Sequence, residues 1–321
     1  MNARPEQQRL SRARGALWGQ AVGDALGTTV EFQRAEEIAS RFPNGVREVV
    51  GGGPFDVAPG QVTDDTELAL CLARSLAERG RFDEDDVARR YIAWCVANPP
   101  DVGGTTRRAF GRVVPAGEPI ARTVRARALT DSQANGALMR ASPLGLFGWK
   151  LEPDALLELT AADTTLSHPH PVCIAASQVF TFAISHALRT GASGPEVFDA
   201  TLAFARLTPS CGEAVPTLEL ARNALPADAF HQMGWVRHAL QAAFCELRRG
   251  DALEAALVRV IGLGGDTDTN GCIAGALLGA VHGVEAIPAR WVERVRTCQP
   301  ARPREFWCND LDELATTLLG A

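Results

Sequence analysis

Residues 13–27 of the chain read ARGALWGQAVGDALG, an apolar stretch dominated by Gly and Ala. The distance between packed helices depends on the side chains at their contact, so a helix with little side-chain volume can approach its neighbours closely. The stretch therefore predicts a tightly packed helix that ends near Glu31. Residues 1–12 are polar and are predicted to form a lead-in to the domain.

The rest of the chain has the composition of a large helical protein. Its 321 residues are 46% hydrophobic, which is enough for a sizeable core, and only 6% are aromatic, so Ala, Leu and Gly supply most of the apolar share. No alternating strand pattern extends beyond a few residues, and there is no βαβ rhythm or fixed-period repeat. The sequence predicts one compact all-α domain over residues 13–321, with about a dozen helices.

Apolar periodicity and helix-stop residues locate these helices. One helix is predicted to follow Asp65 and to end at Arg79 and Gly80, since Gly commonly follows the last helical turn. Further helices are predicted at 84–97, 104–113, 136–148, 153–163, 171–190, 195–206, 233–249, 252–261, 270–283 and 309–319.

Two short motifs far apart in the chain carry paired carboxylates beside hydroxyl side chains. They are Gly60-Gln61-Val62-Thr63-Asp64-Asp65-Thr66 and Gly264-Gly265-Asp266-Thr267-Asp268-Thr269-Asn270. Each lies at a loop-to-helix boundary, without a Cys or His pair nearby, and an all-oxygen ligand set suits Mg²⁺ or Mn²⁺ rather than Zn²⁺. Four gathered carboxylates repel one another unless cations neutralise them. Together the motifs predict a binuclear site with ions about 3.5–4 Å apart.

Helix capping is the alternative interpretation of each motif. Asp and Thr at a helix start accept hydrogen bonds from backbone N–H groups that the helix leaves unpaired. Either motif alone is compatible with that role. Two Gly-flanked, doubly acidic motifs in one chain favour the metal site.

Charge and cysteine usage exclude several classes of protein. The formal net charge is −6, and no basic stretch is long enough to suggest stable nucleic-acid binding. The eight Cys residues include no Cys-x-x-Cys pair, and most lie in apolar helical patterns. No apolar signal segment precedes the first helix, and no run of about 18 apolar residues indicates a membrane span. We expect a reducing, cytoplasmic environment.

Several further runs of residues complete the pattern. They are residues 19–27 with Glu31 and Phe32, Gly51-Gly52-Gly53, 59–66, Asp101-Val102-Gly103-Gly104-Thr105, Asn135-Gly136 with Met139-Arg140, His168-Pro169-His170-Pro171, and 264–269. In this order they resemble the ADP-ribosylglycohydrolase family, and the resemblance covers residues 13–285.

The resemblance implies an all-α hydrolase that cleaves the glycosidic bond between ADP-ribose and an acceptor, foremost the N-glycosidic bond to an arginine side chain. It implies two Mg²⁺ or Mn²⁺ ions as cofactors, an ADP-ribosylated protein or other ADP-ribosylated molecule as substrate, and ADP-ribose as product. By position, the implied metal ligands are Thr63, Asp64, Asp65, Asp266, Asp268 and Thr269.

Two carboxylates are implied to act in catalysis. Glu31 matches a family carboxylate that contacts a metal or the reacting ribose, and its alternative is a surface acid at a helix end. Asp101 matches a carboxylate proposed to orient or deprotonate the attacking water. Its alternative is a turn residue after two prolines, because Asp favours turns.

The substrate contacts implied by the resemblance lie mainly in one loop. Ser132, Gln133, Asn135 and Gly136 match the loop that lies against the diphosphate and distal ribose, where backbone N–H groups before the predicted helix at 136–148 could receive phosphate oxygens. The family often has Gly where this chain has Asp131 and Ala134, which affects how closely a phosphate approaches.

Four other residues are assigned by the same resemblance. His168 matches a histidine near the adenosine half, and Trp235 matches an aromatic residue near the ligand. Their alternatives are a structural histidine and a core aromatic on a helix face. Met139 and Arg140 are expected to be structural, packing and pairing beneath the substrate loop.

Three functions are compatible with the sequence. Hydrolysis of arginine-linked ADP-ribose is the leading one. The second is hydrolysis of another linkage, whether serine O-linked, nucleic-acid-linked or small-molecule-linked. The third is non-catalytic ADP-ribose binding, which the presence of every matched ligand position disfavours.

Overall fold

The computed structural model describes residues 3–113 and 119–320, which form one all-α domain. The sixteen α-helices of these residues are α1 (Ala3–Gly27), α2 (Ala35–Arg41), α3 (Asp64–Arg79), α4 (Glu84–Val96), α5 (Gly104–Phe110), α6 (Ile120–Arg125), α7 (Ser142–Phe147), α8 (Pro153–Thr164), α9 (Pro171–Thr190), α10 (Gly194–Leu207), α11 (Val215–Ala221), α12 (Val236–Arg249), α13 (Leu253–Ile261), α14 (Thr267–His282), α15 (Ala289–Arg296) and α16 (Leu311–Gly320). Within those ranges β pairing is limited to three isolated bridges. The predicted fold class is confirmed.

Two central helices, α1 and α14, run antiparallel with their backbones in contact. Glycines face one another along this seam, with Gly15, Gly19 and Gly23 of α1 opposite Gly279, Gly275 and Gly271 of α14. They recur at every fourth residue, which puts them on one face of each helix. A Cβ atom on Gly19 would lie only 2.1 Å from the carbonyl oxygen of Gly275. The close approach therefore requires glycine on both helices.

The seam brings the end of α1 to the start of α14. The Thr267 hydroxyl donates a hydrogen bond to the Gly27 carbonyl at 2.7 Å and so satisfies an otherwise unpaired group at the end of α1. Helix α3 contacts both central helices. The end of α1 and the starts of α3 and α14 therefore meet at one place in the domain.

The structure differs from the sequence prediction in its short helices and at its beginning. Helices α2, α6, α11 and α15 are six to eight residues long and were not predicted, because so few turns give little periodicity to recognise. Helix α1 begins at Ala3, so most of the predicted lead-in belongs to its first turns. Residues 1 and 2 of that lead-in lie outside the described residues.

The predicted helix at 136–148 is wrong in its first half. Residues 136–140 form turns, and α7 begins only at Ser142, with Pro143 in its first turn. Proline has no N–H group and disfavours helical conformation in the residue before it, so it suits a helix start. Arg140 also holds the turns by donating to the Gly136 carbonyl at 2.9 Å. The N–H groups near Gly136 are therefore not those of a helix start.

Helix α9 is long and apolar enough to cross a membrane by length and composition, although it contains no unbroken run of about 18 apolar residues. In the structure, 83% of its most apolar 18-residue segment is buried. It packs against α7, α8 and α10, which accounts for that burial. The eight cysteines are all free thiols and six are buried, as the sequence predicted for most of them.

The glycine seam generates a stability prediction. Gly19→Ala should lower the free energy of unfolding by at least about 2 kcal/mol, because its Cβ would overlap the backbone of α14. Thermal and urea unfolding monitored by circular dichroism would measure this.

Gly320→Ala is the matched control, because no heavy atom lies within 4 Å of a Cβ at that helical position. It should leave stability unchanged or raise it slightly, as Ala is the better helix former. If the two variants were equally stable, the close backbone contact between α1 and α14 at Gly19 would be contradicted.

Candidate active site

The first turn of α3 is held by a carboxylate from α1. Thr63 is the N-cap residue of α3, yet its side chain accepts no capping hydrogen bond. Instead, Asp24 accepts the backbone N–H groups of Thr63 and Thr66, each at 3.1 Å, and the Thr63 hydroxyl at 3.0 Å. Because Asp24 takes the capping role, Asp64 and Asp65 are left for another function.

Two glycines shape the loop before α14. Gly264 and Gly265 have φ angles of +75° and +76°, which residues with a Cβ atom rarely adopt. Asp266 is the N-cap residue of α14, and its side chain also makes no capping hydrogen bond. The Thr269 N–H group donates to the Asp268 carboxylate at 2.9 Å. Capping therefore does not explain the N-cap acid of the second motif either.

Reciprocal backbone hydrogen bonds tie the loop after α1 to this turn. The Phe32 N–H group donates to the Gly265 carbonyl at 2.8 Å, and the Gly265 N–H group donates to the Gln33 carbonyl at 2.9 Å. Phe32 has a φ of +63°, a conformation that costs a bulky residue roughly 1–3 kcal/mol. The strained turn places the neighbouring Glu31, only 5% exposed, beside Asp266.

Two groups of three buried carboxylates meet at this place. Asp24, Asp65 and Asp268 form the first group, and Glu31, Asp266 and Asp268 form the second. Within each group, one oxygen from every residue lies within 4.8 Å of the others. The structure thus brings the two acidic motifs together, and Asp268 belongs to both groups.

Burial and mutual repulsion favour the protonated forms of these carboxyl groups. Burial raises the pKa of Asp24 to about 6. Burial, with the charges of Asp266 and Asp101, raises the pKa of Glu31 to about 9. Three further carboxyl groups have a pKa well above the ordinary value, chiefly through burial: Asp64, Asp65 and Asp268. A cation beside these groups would stabilise their ionised forms.

The available oxygen atoms fit a hard divalent cation. Among the described residues, Oε2 of Glu31 and Oδ1 of Asp65 are buried and accept no hydrogen bond. Buried carboxylate oxygens need a partner, and a cation supplies one. Neither carboxylate group includes His or Cys. This donor set suits Mg²⁺ or Mn²⁺ better than Zn²⁺.

A cleft of about 400 Å³ opens onto the carboxylates. Five of the predicted site acids line it, together with other predicted residues: Glu31, Asp64, Asp101, Asp266, Asp268, Asn135, Gly136, His168 and Thr269. Thr63 and Asp65, which are buried at the start of α3, do not line it. Burial of Glu31 excludes its alternative as a surface acid.

Asp101 stands at the wall of the cleft and is half-buried. Its Oδ1 atom accepts the Val102 N–H group at 2.7 Å. Burial raises the pKa of Asp101 against the effect of this hydrogen bond, and the charge of Asp266 raises it further. A carboxylate with a raised pKa is a better proton acceptor at neutral pH than an ordinary one.

The residues of the predicted substrate loop lie at two different spaces, the acidic cleft and a recess beside it. Asn135 donates from Nδ2 to Oδ2 of Asp266 at 2.6 Å, on the acidic side. Gln133 accepts the Trp235 indole N–H at 3.0 Å, and both residues line an adjoining recess of about 530 Å³. Ser132 lines neither space, and its hydroxyl pairs with that of Thr105, which lines the cleft, at 2.8 Å.

The two histidines of the His-Pro-His-Pro motif have different surroundings. His168 is buried and lines the cleft beside Gly136. His170 caps α9, because its Nδ1 atom accepts the Val172 N–H group at 3.2 Å. Arg140 lies beneath the loop and is fully buried, as expected for a structural residue.

Comparison with known proteins identifies the family. A family model described as ADP-ribosylglycohydrolase matches residues 5–321. The chain belongs to the ADP-ribosylglycohydrolase family. It is 32% identical to the ADP-ribosyl-[dinitrogen reductase] glycohydrolase of Rhodospirillum rubrum, over 88% of this chain and 90% of that protein. It is 29% identical to ADP-ribosylarginine hydrolase Tri1 of Serratia proteamaculans, over 91% and 77% respectively.

A solved structure of an ADP-ribosylglycohydrolase-related protein complex has the same fold. Its TM-score is 0.78 at 32% identity, covering 98% of this chain and 99% of that one. The present chain is therefore an ADP-ribosylglycohydrolase, an enzyme that hydrolyses ADP-ribose linkages.

Sequence reasoning missed one residue of this ADP-ribosylglycohydrolase site. Asp24 is fully buried in the last turn of α1, where it caps α3 and joins the first carboxylate group. It is the one acid in the apolar stretch at 13–27. An acid in such a stretch needs a buried partner, and that was the signal available in the sequence.

The raised pKa values generate a prediction about pH and metal. A carboxyl group whose pKa is higher in the folded than in the unfolded protein stabilises the metal-free fold. This stabilisation is complete below the pKa of the unfolded state and is lost as the pH rises through the pKa of the folded state. The Tm of the chelated protein should therefore fall from pH 5 to pH 9, the region set by Asp24 and Glu31. The gain in Tm from saturating Mg²⁺ should widen over the same range, because ionised carboxylates bind cations.

Differential scanning fluorimetry with EDTA or Mg²⁺ would measure both curves. Glu31→Gln should reduce the difference in Tm between the Mg²⁺ and EDTA curves. Glu36→Gln, which alters an exposed acid five residues further on, should leave that difference unchanged. Parallel curves at all pH values would contradict the prediction.

Proposed function

We propose that this ADP-ribosylglycohydrolase removes ADP-ribose from arginine side chains of proteins, with two Mg²⁺ or Mn²⁺ ions as cofactors. The observation that carries the proposal is the sharing of Asp268 by two buried carboxylate groups beneath a cleft. The arginine linkage is supported by one relative named an ADP-ribosylarginine hydrolase. A second relative is named for ADP-ribosylated dinitrogen reductase, a protein substrate.

Each carboxylate group is proposed to hold one ion. Asp24 and Asp65 would bind the first, Glu31 and Asp266 the second, and Asp268 would contact both. Further ligands are proposed from the two motifs: Thr63, Asp64 and Thr269. When bound, the cations would position the ribose hydroxyls and lower the pKa of a bound water.

Asp101 is proposed as the general base or water-orienting group. Hydrolysis at the anomeric carbon passes through an oxocarbenium-like state, and water must lose a proton as it attacks. One oxygen of Asp101 is fixed by Val102, which leaves the other free to take that proton. Guanidine is strongly basic, so an arginine leaving group is readily protonated on departure. Glu31 is proposed to contact the second ion or a ribose hydroxyl.

The remaining part of ADP-ribose is proposed to extend into the adjoining recess. The acidic cleft and this recess share Ala134, Met233 and Gly234, so a single ligand can occupy both. Asn135, Gly136 and His168 would contact it in the cleft, and Gln133 and Trp235 in the recess. Ser132 would support the loop through its bond to Thr105 rather than touch the ligand directly.

The role of Asp101 is testable by a conservative substitution. Asp101→Asn keeps the hydrogen bond from Val102 but removes the proton acceptor, so kcat should fall by about 10²–10⁴-fold. The Kd for ADP-ribose should remain nearly unchanged. Steady-state kinetics and calorimetry would measure the two quantities.

Asp154→Asn, an exposed acid in α8, is the control and should retain both kcat and Kd. If Asp101→Asn kept kcat and lost affinity instead, Asp101 would be a binding residue, and Glu31 would become the better candidate for the base.

The number of ions is testable by removing shared and unshared ligands. Wild-type enzyme should bind two Mn²⁺ ions, Asp24→Asn and Glu31→Gln one strong ion each, and Asp268→Asn none tightly. Asn and Gln keep side-chain shape but lose the charge that holds a hard cation. Calorimetric titration with Mn²⁺, together with electron paramagnetic resonance to detect coupled ions, would count them. A single ion in the wild type, or unaltered stoichiometry in Asp268→Asn, would refute the binuclear assignment.

The linkage requires a direct assay. Turnover of arginine-, serine- and DNA-linked ADP-ribose should be compared in Mg²⁺, Mn²⁺ and chelator, with the arginine linkage cleaved fastest and no turnover in chelator. Preferred cleavage of another linkage would reassign the acceptor while retaining the metal site.

A cytoplasmic location of the protein is proposed as well, and fractionation of cells would test it.

A further inference from the structure

His168 lines the cleft, and its two ring nitrogens have different surroundings. Its side chain is almost fully buried, with 1% of the residue exposed. Nδ1 lies 2.8 Å from the Ser167 hydroxyl, whereas Nε2 has no hydrogen-bond partner among the described residues. A Cβ atom on Gly136 would lie 3.2 Å from Nε2, so the ring edge rests against this glycine in the cleft wall.

The Ser167 hydroxyl links this imidazole to a buried arginine. Arg140 donates from NH1 to the Ser167 Oγ atom at 2.9 Å and is itself fully buried. A guanidinium group can only donate hydrogen bonds, so Oγ must accept from it. The hydroxyl proton is then directed to the other neighbour of Oγ, which is Nδ1 of His168.

The proton arrangement follows from these two hydrogen bonds. If Nδ1 accepts the Ser167 proton, a neutral imidazole carries its own proton on Nε2. The opposite tautomer would donate from Nδ1 and leave the Ser167 proton without an acceptor among the described residues, although this serine is fully buried. An unsatisfied buried hydroxyl costs free energy, which favours the Nε2–H form.

Burial keeps the imidazole neutral, and the nearby arginine adds to the effect. Arg140 is balanced by Asp163, whose Oδ2 atom lies 3.1 Å from its Nε atom and whose Oδ1 atom accepts the Tyr91 hydroxyl at 2.8 Å. Burial, together with the positive charge of Arg140, lowers the pKa of His168 to about 3. No proton is therefore added to Nδ1 at physiological pH.

We propose that Ser167 and Arg140 are positioning residues that fix His168 as an Nε2–H hydrogen-bond donor to an oxygen of bound ADP-ribose. The proposal rests on the proposed function, because the ligand in the cleft is taken to be ADP-ribose. The same protonation state also prevents His168 from binding a cation through Nε2. A metal-ligating histidine needs a lone pair on the ligating nitrogen, so the Nε2–H form stays out of the cation site although both line one cleft.

Nuclear magnetic resonance on the holoenzyme tests the tautomer directly. In ¹⁵N-histidine-labelled protein, the ring signals absent from a His168→Gln spectrum belong to His168. They should show a protonated Nε2 and an unprotonated Nδ1 from pH 5.5 to pH 8. A protonated Nδ1, or a charged ring in this range, would overturn the proposal.

Ser167→Ala tests the positioning role with the removal of one oxygen atom. It should mix the two tautomers and raise the Kd for ADP-ribose about 3–10-fold, the worth of one hydrogen bond. The KM should rise accordingly while kcat changes less than twofold. Ser167→Thr keeps the hydroxyl and should restore both the tautomer and the affinity.

Ser177→Ala is the matched control, because Ser177 is equally buried and its hydroxyl has no partner among the described residues. It should leave tautomer and Kd unchanged. Unaltered spectra and affinity in Ser167→Ala would sink the proposal. If ADP-ribose binds and the tautomer is as stated, but arginine-linked substrate is not cleaved, only the proposed function fails.

Discussion

The contact between the backbones of α1 and α14 sets the spacing of two buried carboxylates of the cluster. Asp24 belongs to the last turn of one helix and Asp268 to the first turn of the other, so main-chain packing determines their separation. Asp24 in turn holds the start of α3, and Gly265 holds the turn that carries Glu31. The starts of two helices and the end of a third thus depend on a seam in which no Cβ atom fits.

Two buried acids of α3, two residues apart, differ in their hydrogen-bond partners. Glu67 is as buried as Asp65, but Arg302 pairs with it at 2.6 Å and the Trp94 indole donates to it at 2.6 Å. Asp65, less than one turn earlier, has a buried oxygen without a partner in the described residues. The fold satisfies the first acid internally but not the second, which is the arrangement that the proposed cation site needs. With the proposed cation bound, protons and metal would compete for the same oxygens, and stability would be coupled to activity.

Much of the fold could be predicted because the long helices carry strong patterns. The small-residue run at 13–27 predicted a helix that the structure contains, and the two acidic motifs predicted that the starts of their helices lie together, as they do. The pairing of α1 with α14 was not predictable, because a Gly-rich face fits any equally smooth surface. Asp24 was missed since its role depends on α3, which only the tertiary structure places beside it. The half-wrong helix at 136–148 shows that Pro143 and Arg140 outweigh apolar periodicity there.

The glycine seam also has a consequence for biosynthesis. Gly27 and Thr267, which hydrogen bond across it, are 240 positions apart in the chain. A ribosome adding about 5–20 residues per second needs roughly 10–50 s to cover that distance. Throughout this interval α1 lacks α14, the helix whose glycines pack against its own. The glycine seam, and with it the meeting of the two acidic motifs, therefore forms only after α14 has been synthesised.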